Sequence, residues 1–396
     1  MLSKYKTVIA FFLLLILAII RKPEFFNIPR IWAEEGLYYD SFIKESFFNF
    51  LIQPNLGYYS LVNKIIVLIS SLFPLEFLPL SFTLLSFLFT MLIVFTPFII
   101  KGKLWEFFYV KILLSYFILT LSPSYTWLNF ISLQFFFPIF IVFLFLSDSV
   151  QSKNSKAYIY SIYLLSCLTG VISLIFSSFL LISKSLKKNE LYTNLMYIFL
   201  FSLLIQISSI VYCFITNDGY GHLDFKNLIN IIDGFNNTLF YLVNPKFIQE
   251  YSRGINFLFK LIFIVYLSII FRKKNKYLNY IILTFLTISL LISFLSISMK
   301  SGPRYSFPIS FFAVLTVFAA IKFNIYKNFS YLILLIIFIK SIDFFNFDHG
   351  YYSQYWKSFN SELKAFEECN QDIIEIYPQN TNKKWFIRPV RNQLCK

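Results

Sequence analysis

Long, nearly continuous apolar runs joined by short links rich in Lys and Arg limit what this chain can fold into. Such runs lie near 77–100, 105–122, 135–148, 192–214, 255–271, 278–298, 307–322 and 329–342. In hydrocarbon every backbone N–H and C=O needs an internal partner, so only helices and closed barrels survive there. Barrel strands alternate apolar and polar residues, and these runs do not, so helices are expected. Charged residues are only 14% of the chain and mean hydropathy is +0.67, whereas a soluble domain carries about 25% charged residues. The fold class expected is an all-α polytopic membrane protein.

The run ending at Ile20 is followed by Arg21, Lys22 and Pro23 rather than by small residues, so it reads as an uncleaved first span. The stretch 158–183 is long for one crossing and has Thr169-Gly170 at its middle, which suggests a hairpin of two short helices. The sum is eleven spans. The segment 58–73 contains Asn63 and Lys64 and is short for a crossing. If it lies in the membrane without crossing, the basic loops at Lys101/Lys103, Lys153/Lys156, Lys184/Lys187/Lys188, Arg272/Lys273/Lys274/Lys276 and Lys322/Lys327 all share the side of Lys4 and Lys6. The positive-inside rule makes that side cytoplasmic. The N-terminus is then cytoplasmic and the C-terminus extracytoplasmic, in a multi-pass protein of a bacterial inner membrane. The opposite side collects a long first loop over 21–57, the turn 123–134, the loop 216–254, the link 299–306 and the tail.

Two domains are expected, a transmembrane unit over 1–342 and a small extracytoplasmic tail over 343–396. The tail reads as a helix near 351–368 followed by a strand over 373–377. Cys369 and Cys395 bracket its end, and an oxidising compartment would join them as a disulfide. Cys167 and Cys213 lie in apolar runs and read as packing residues. With only His222 and His349 as histidines and no CxxC, no metal site or other cofactor is expected. The formal charge of +15 belongs to orienting loops, with no basic face outside the spans, so nucleic acid is not a partner.

The outer side holds the residues that lipid does not explain. Glu34 and Glu35 are adjacent carboxylates, flanked by Arg30 and Trp32 and followed by Tyr38-Tyr39. Adjacent like charges raise one partner's pKa, as a general base needs; they also suit the first turn of a helix beginning near Leu37. Neighbouring side chains diverge, so only one can face a substrate. Glu35 is favoured because it abuts Gly36, which permits close approach. Arg304-Tyr305 follows Gly302-Pro303 at a span start, where a planar guanidinium suits phosphate, either of lipid or of a lipid-linked substrate. Asn129 and Gln134, near Trp127, are candidates for sugar hydroxyls. Lys64 either snorkels or binds a lipid phosphate. Asp218, Asp224 and Asp233 are spaced too irregularly for a metal site, and Asn236-Asn237-Thr238 is a common type of sequon.

The Trp32-x-Glu34-Glu35-Gly36 motif, Gly57-Tyr58 and the late Arg304-Tyr305, set among many spans, resemble the GT-C superfamily of integral membrane glycosyltransferases. The resemblance is to bacterial surface-polysaccharide members with a Trp-x-Glu-Asp-Gly-type motif, and Glu35 stands where that motif has Asp. Tyr377-Pro378-Gln379-Asn380 through Trp385 is loosely similar to the family's Asn-Pro-x-x-Trp tail. The resemblance implies transfer of a sugar, with inversion, from a polyprenyl-phosphate donor to a cell-surface glycan or glycolipid acceptor on the outer face. It assigns the base to Glu35 or Glu34 and the donor phosphate to Arg304, without a metal. An O-antigen-type polysaccharide polymerase would need two large basic outer loops, and 216–254 is not basic. A lipid-linked glycan flippase or transporter would put charges inside the spans and show an inverted repeat.

Overall fold

The apolar runs fold as helices, and the charged, Gly or Pro links between them end those helices. The computed structural model describes residues 2–27, 29–55, 57–123, 127–147, 153–184, 190–216, 235, 239–240, 243, 253–273, 275–295, 303–342, 358–368, 373–376 and 386–387. The chain opens with α1 (Leu2–Ile20) and runs through four short helices, α2 (Glu24–Asn27), α3 (Ala33–Lys44), α4 (Phe47–Ile52) and α5 (Leu61–Ser70). Next come α6 (Leu78–Val94), α7 (Thr96–Ile99), α8 (Phe108–Leu121), α9 (Leu133–Leu146), α10 (Lys153–Thr169), α11 (Val171–Lys184) and α12 (Glu190–Thr216). The last part holds α13 (Arg253–Arg272), α14 (Lys276–Leu295), α15 (Pro303–Lys322), α16 (Lys327–Ser341) and α17 (Phe359–Glu367). A two-stranded antiparallel ribbon pairs β1 (Ile374–Glu375) with β2 (Phe386–Ile387), Ile374 lying opposite Ile387.

Among the described residues, four helices are long and apolar enough to cross a bilayer: Leu75–Val94, Glu190–Thr216, Lys276–Ser293 and Arg304–Lys322. The apolar helices Tyr5–Ile20, Phe108–Leu121, Phe130–Leu146 and Val171–Lys184 are shorter, so length alone does not reach the expected eleven. The break expected at Thr169-Gly170 is present, with Gly170 as the single non-helical residue between α10 and α11. At 1.5 Å per residue the ten residues of α5 extend about 15 Å. That is half of a hydrocarbon core of about 30 Å, so α5 does not cross.

At the centre stands α9, every residue of which is buried except Gln134. It packs against α6, α10, α11 and α15. Lipid is as apolar as these side chains, so shape rather than exclusion from water must hold the helices together. Aromatic edges supply that shape. Phe143 meets Trp105 at 5.0 Å between ring centroids, Phe136 meets Phe307 at 5.1 Å and Phe135 meets Tyr305 at 5.1 Å. Such pairs contribute about 0.5–1.5 kcal/mol each beyond area burial.

The described part of the tail packs onto α3 and the turn before α6. The apolar side of α17 buries Phe359, Leu363 and Phe366, and the helix lies against the turn Leu75–Phe77. The ribbon lies on α3: a Cβ at Gly36 would fall 2.2 Å from Ile376 Cδ1 and 3.4 Å from Ile387 Cγ2. Gly36 therefore makes room for the tail, which corrects the expectation that it admits substrate. Cys369 and Cys395, the stretch 377–385 and the Asp, His and sequon residues of 217–234 and 236–238 lie outside the described residues.

Candidate functional site

The acidic pair is built by a helix start. α3 begins at Ala33, ahead of the expected position near Leu37, because Glu35 caps it from within. Glu35 is the third helical residue, and its Oε2 accepts from the Trp32 backbone N–H at 2.9 Å, the return half of a capping box. Its Oε1 accepts from the Phe130 backbone N–H at 2.9 Å. One carboxyl group thus joins α3 to the turn Phe130–Ser132 that leads into α9. Both oxygens are engaged and the residue is 1% exposed. Burial raises its pKa to about 8, against the lowering pull of the two N–H donors, and neighbouring Glu34 adds to the rise.

Two consequences can be measured. Glu35→Gln exchanges one acceptor for a donor, so either Trp32 or Phe130 loses its bond, at a cost of about 1–3 kcal/mol. The folded value lies above the ordinary 4.5, so the unfolded chain releases this proton first. Stability contributed by Glu35 is then full below pH 4.5, declines as the pH rises toward about 8 and is level above it. Unfolding of purified protein across this range should show that decline, and Glu35→Gln should remove it. A decline that persists in the variant would place the titration elsewhere.

Glu34 precedes Glu35 by one residue, about 100° round the helix, and is half-buried. Its charge acts on Tyr58 and on Tyr305. Tyr58 is delivered by a turn in which Gly57 has φ 92, a conformation that side chains with a Cβ resist. The Tyr58 hydroxyl accepts from Gln134 Nε2 at 2.7 Å, and the same amide donates to Ile131 O at 3.2 Å. Burial pushes the Tyr58 phenol well above its ordinary value. Behind Gln134 is Gly170, where a Cβ would come within 3.0 Å of Gln134 Cβ and Oε1. The break between α10 and α11 thus gives Gln134 its space.

Arg304 and Tyr305 occupy the first turn of α15, behind Pro303 at the first helical position, where its fixed φ favours a helix start. The Arg304 guanidinium lies 5.5 Å from the Tyr305 ring centroid and 5.9 Å from that of Phe135. Its charge acts on Tyr58 and Tyr305, the two phenols that also feel Glu34. Glu34, Tyr58, Gln134, Arg304 and Tyr305 are all half-buried rather than enclosed. The start of α15 packs on that of α9 through Tyr305 and Phe135, and Glu35 ties α3 to the turn leading into α9, so Glu34 and Arg304 stand on neighbouring helix starts. Such a cluster can accept a proton at Glu34 and hold an anion at Arg304, whose helix start favours negative charge.

Other residues singled out by sequence serve the frame. Lys64 is fully buried; its ammonium donates to Phe50 O and, at 2.7 Å, to Gln53 O, closing the carbonyl end of α4. It also lies 4.6 Å from the Phe50 ring centroid. Its ammonium is thus turned to a helix end, neither snorkelling nor open to a lipid phosphate. Asn129 is buried, and its Oδ1 accepts from Ile131 N at 2.9 Å, capping the turn before α9. Arg30 and Trp32 lie half-buried on the approach to α3. Tyr58 was legible only as part of a motif, and Gly170 only as a helix break. Comparison with protein-family models, with curated proteins and with solved structures yields no match.

Proposed function

We propose that this cluster transfers a sugar, with inversion, from a polyprenyl-phosphate carrier to a glycan or glycolipid acceptor on the extracytoplasmic face of a bacterial inner membrane. The observation that carries the proposal is the joining of three helix starts, α3 to the turn before α9 through Glu35 and Phe130 N–H and α9 to α15 through Phe135 and Tyr305, which sets Glu34 and Arg304 on neighbouring helix starts. Glu34 is the open carboxylate of the pair, so the role of base passes to it from the enclosed Glu35. Glu34 takes the proton of the acceptor hydroxyl. The acceptor oxygen bonds to the anomeric carbon as that carbon's bond to the phosphate oxygen breaks. The electron pair leaves with polyprenyl phosphate, whose charge meets Arg304 and the start of α15. The motif at Trp32–Gly36 and its resemblance to GT-C enzymes point the same way.

The orientation belongs to the same proposal. With eleven spans, shorter helices crossing by local thinning of the bilayer, the basic links face the cytoplasm and the cluster faces outward. Sealed vesicles of both orientations test both parts, using a short-chain polyprenyl-phosphate sugar and an acceptor added from outside. Right-side-out vesicles should transfer and inside-out vesicles should not. The reverse pattern would overturn the orientation, and silence in both would overturn the transfer.

A further inference from the structure

Of the four described helices long enough to cross a bilayer, α12 is the least buried: Leu204 is 67% exposed and Ile207 is 52% exposed. Gln206, between them, is 1% exposed. Its amide pairs with both backbone groups of Tyr59: Oε1 accepts from Tyr59 N at 3.1 Å and Nε2 donates to Tyr59 O at 2.8 Å. Nε2 also lies 3.5 Å from Cys167 O, near the end of α10. Backbone groups of a non-helical stretch need partners, so a side chain that satisfies donor and acceptor together acts as a strand neighbour would.

The chain is non-helical from Gly57 to Ser60. Successive side chains in such a stretch point to different sides, so a grip on the Tyr59 backbone fixes the direction of Tyr58. The far end of Tyr58 is fixed by Gln134, which packs against Gly170 at the other side of the α10 break. Because Gln134 donates to Tyr58 Oη, the phenol keeps its own proton to offer a substrate oxygen.

We infer that Gln206 is a positioning residue, which acts through the Tyr59 backbone to aim the Tyr58 hydroxyl at the reacting group. The inference rests on the proposed sugar transfer. Misplacing a group by about 1 Å can lower a rate about 10²-fold, so Gln206→Leu should reduce kcat about 10–100-fold with less change in donor KM. The decisive measurement is a double-mutant cycle in proteoliposomes, with a polyprenyl-phosphate sugar as donor and wild type, Tyr58→Phe, Gln206→Leu and the pair compared. If Gln206 acts through Tyr58, the pair is no slower than Tyr58→Phe alone. Multiplying losses would make Gln206 a general structural residue and overturn the inference. Gln206→Glu keeps the shape and the acceptor for Tyr59 N–H, and it enters the same cycle if Gln206→Leu fails to insert.

Hydrogen exchange of the segment carrying the Tyr59 amide gives a readout that needs no turnover. Exchange should accelerate there in Gln206→Leu, and unchanged protection would refute the grip itself. Faster exchange in a protein whose wild type transfers no sugar would sink the proposed reaction and leave the grip standing.

Discussion

Glu34→Gln should lower sugar transfer about 10²–10⁴-fold, the usual contribution of a general base, in protein that inserts and unfolds like wild type. The substitution keeps size and hydrogen-bonding shape and removes only the ability to take a proton. Glu34 is half-buried and makes neither the bond that caps α3 nor the one that ties it to the turn before α9; those belong to Glu35. The two variants therefore fail in different ways. Glu35→Gln should lose stability along with activity, and Glu34→Gln activity alone. Transfer rates paired with unfolding curves for both variants separate them. Full transfer by Glu34→Gln would remove the base from this position.

Arg304→Lys should weaken donor binding by about 1.5–3 kcal/mol, the range for a hydrogen bond to a charged group. Lysine keeps the charge but presents a point rather than a planar fork, so two parallel bonds to phosphate oxygens become one. Phe135 and Tyr305 flank the guanidinium, and a lysine ammonium would lose part of that contact as well. Titration of purified protein with a polyprenyl-phosphate sugar measures the change. An unchanged donor affinity would reassign Arg304 to a headgroup of the surrounding lipid.

Much of the frame was readable because it follows from solvent and local chain chemistry. Apolar runs are expected to be helical in lipid, and Thr169-Gly170 at the middle of an overlong run marks the break between α10 and α11. Loop charge led to the expectation that 21–57, 123–134 and 299–306 share one side. From those three segments come Glu34, Gln134 and Arg304, which the fold brings to one cluster. Which of Glu34 and Glu35 is enclosed was not readable. It depends on which carboxylate meets the Phe130 N–H, a contact 95 residues away in sequence. Gly36 was misread for the same reason, since the residue filling its space is Ile376. Lys64 and Asn129 each bond to a backbone end that only the folded chain presents. Gln206 left one signal, an amide deep inside an apolar run, where polar side chains are expensive and rarely idle.

The most direct measurement of the central claim uses purified protein in proteoliposomes, a labelled polyprenyl-phosphate sugar and a glycan acceptor. Label should move to the acceptor with its anomeric configuration inverted, one polyprenyl phosphate should be released for each sugar moved, and Glu34→Gln should abolish most of both. Transfer that proceeds with equal rate in Glu34→Gln, transfer with retained configuration, or no transfer by wild-type protein to any offered acceptor would contradict it.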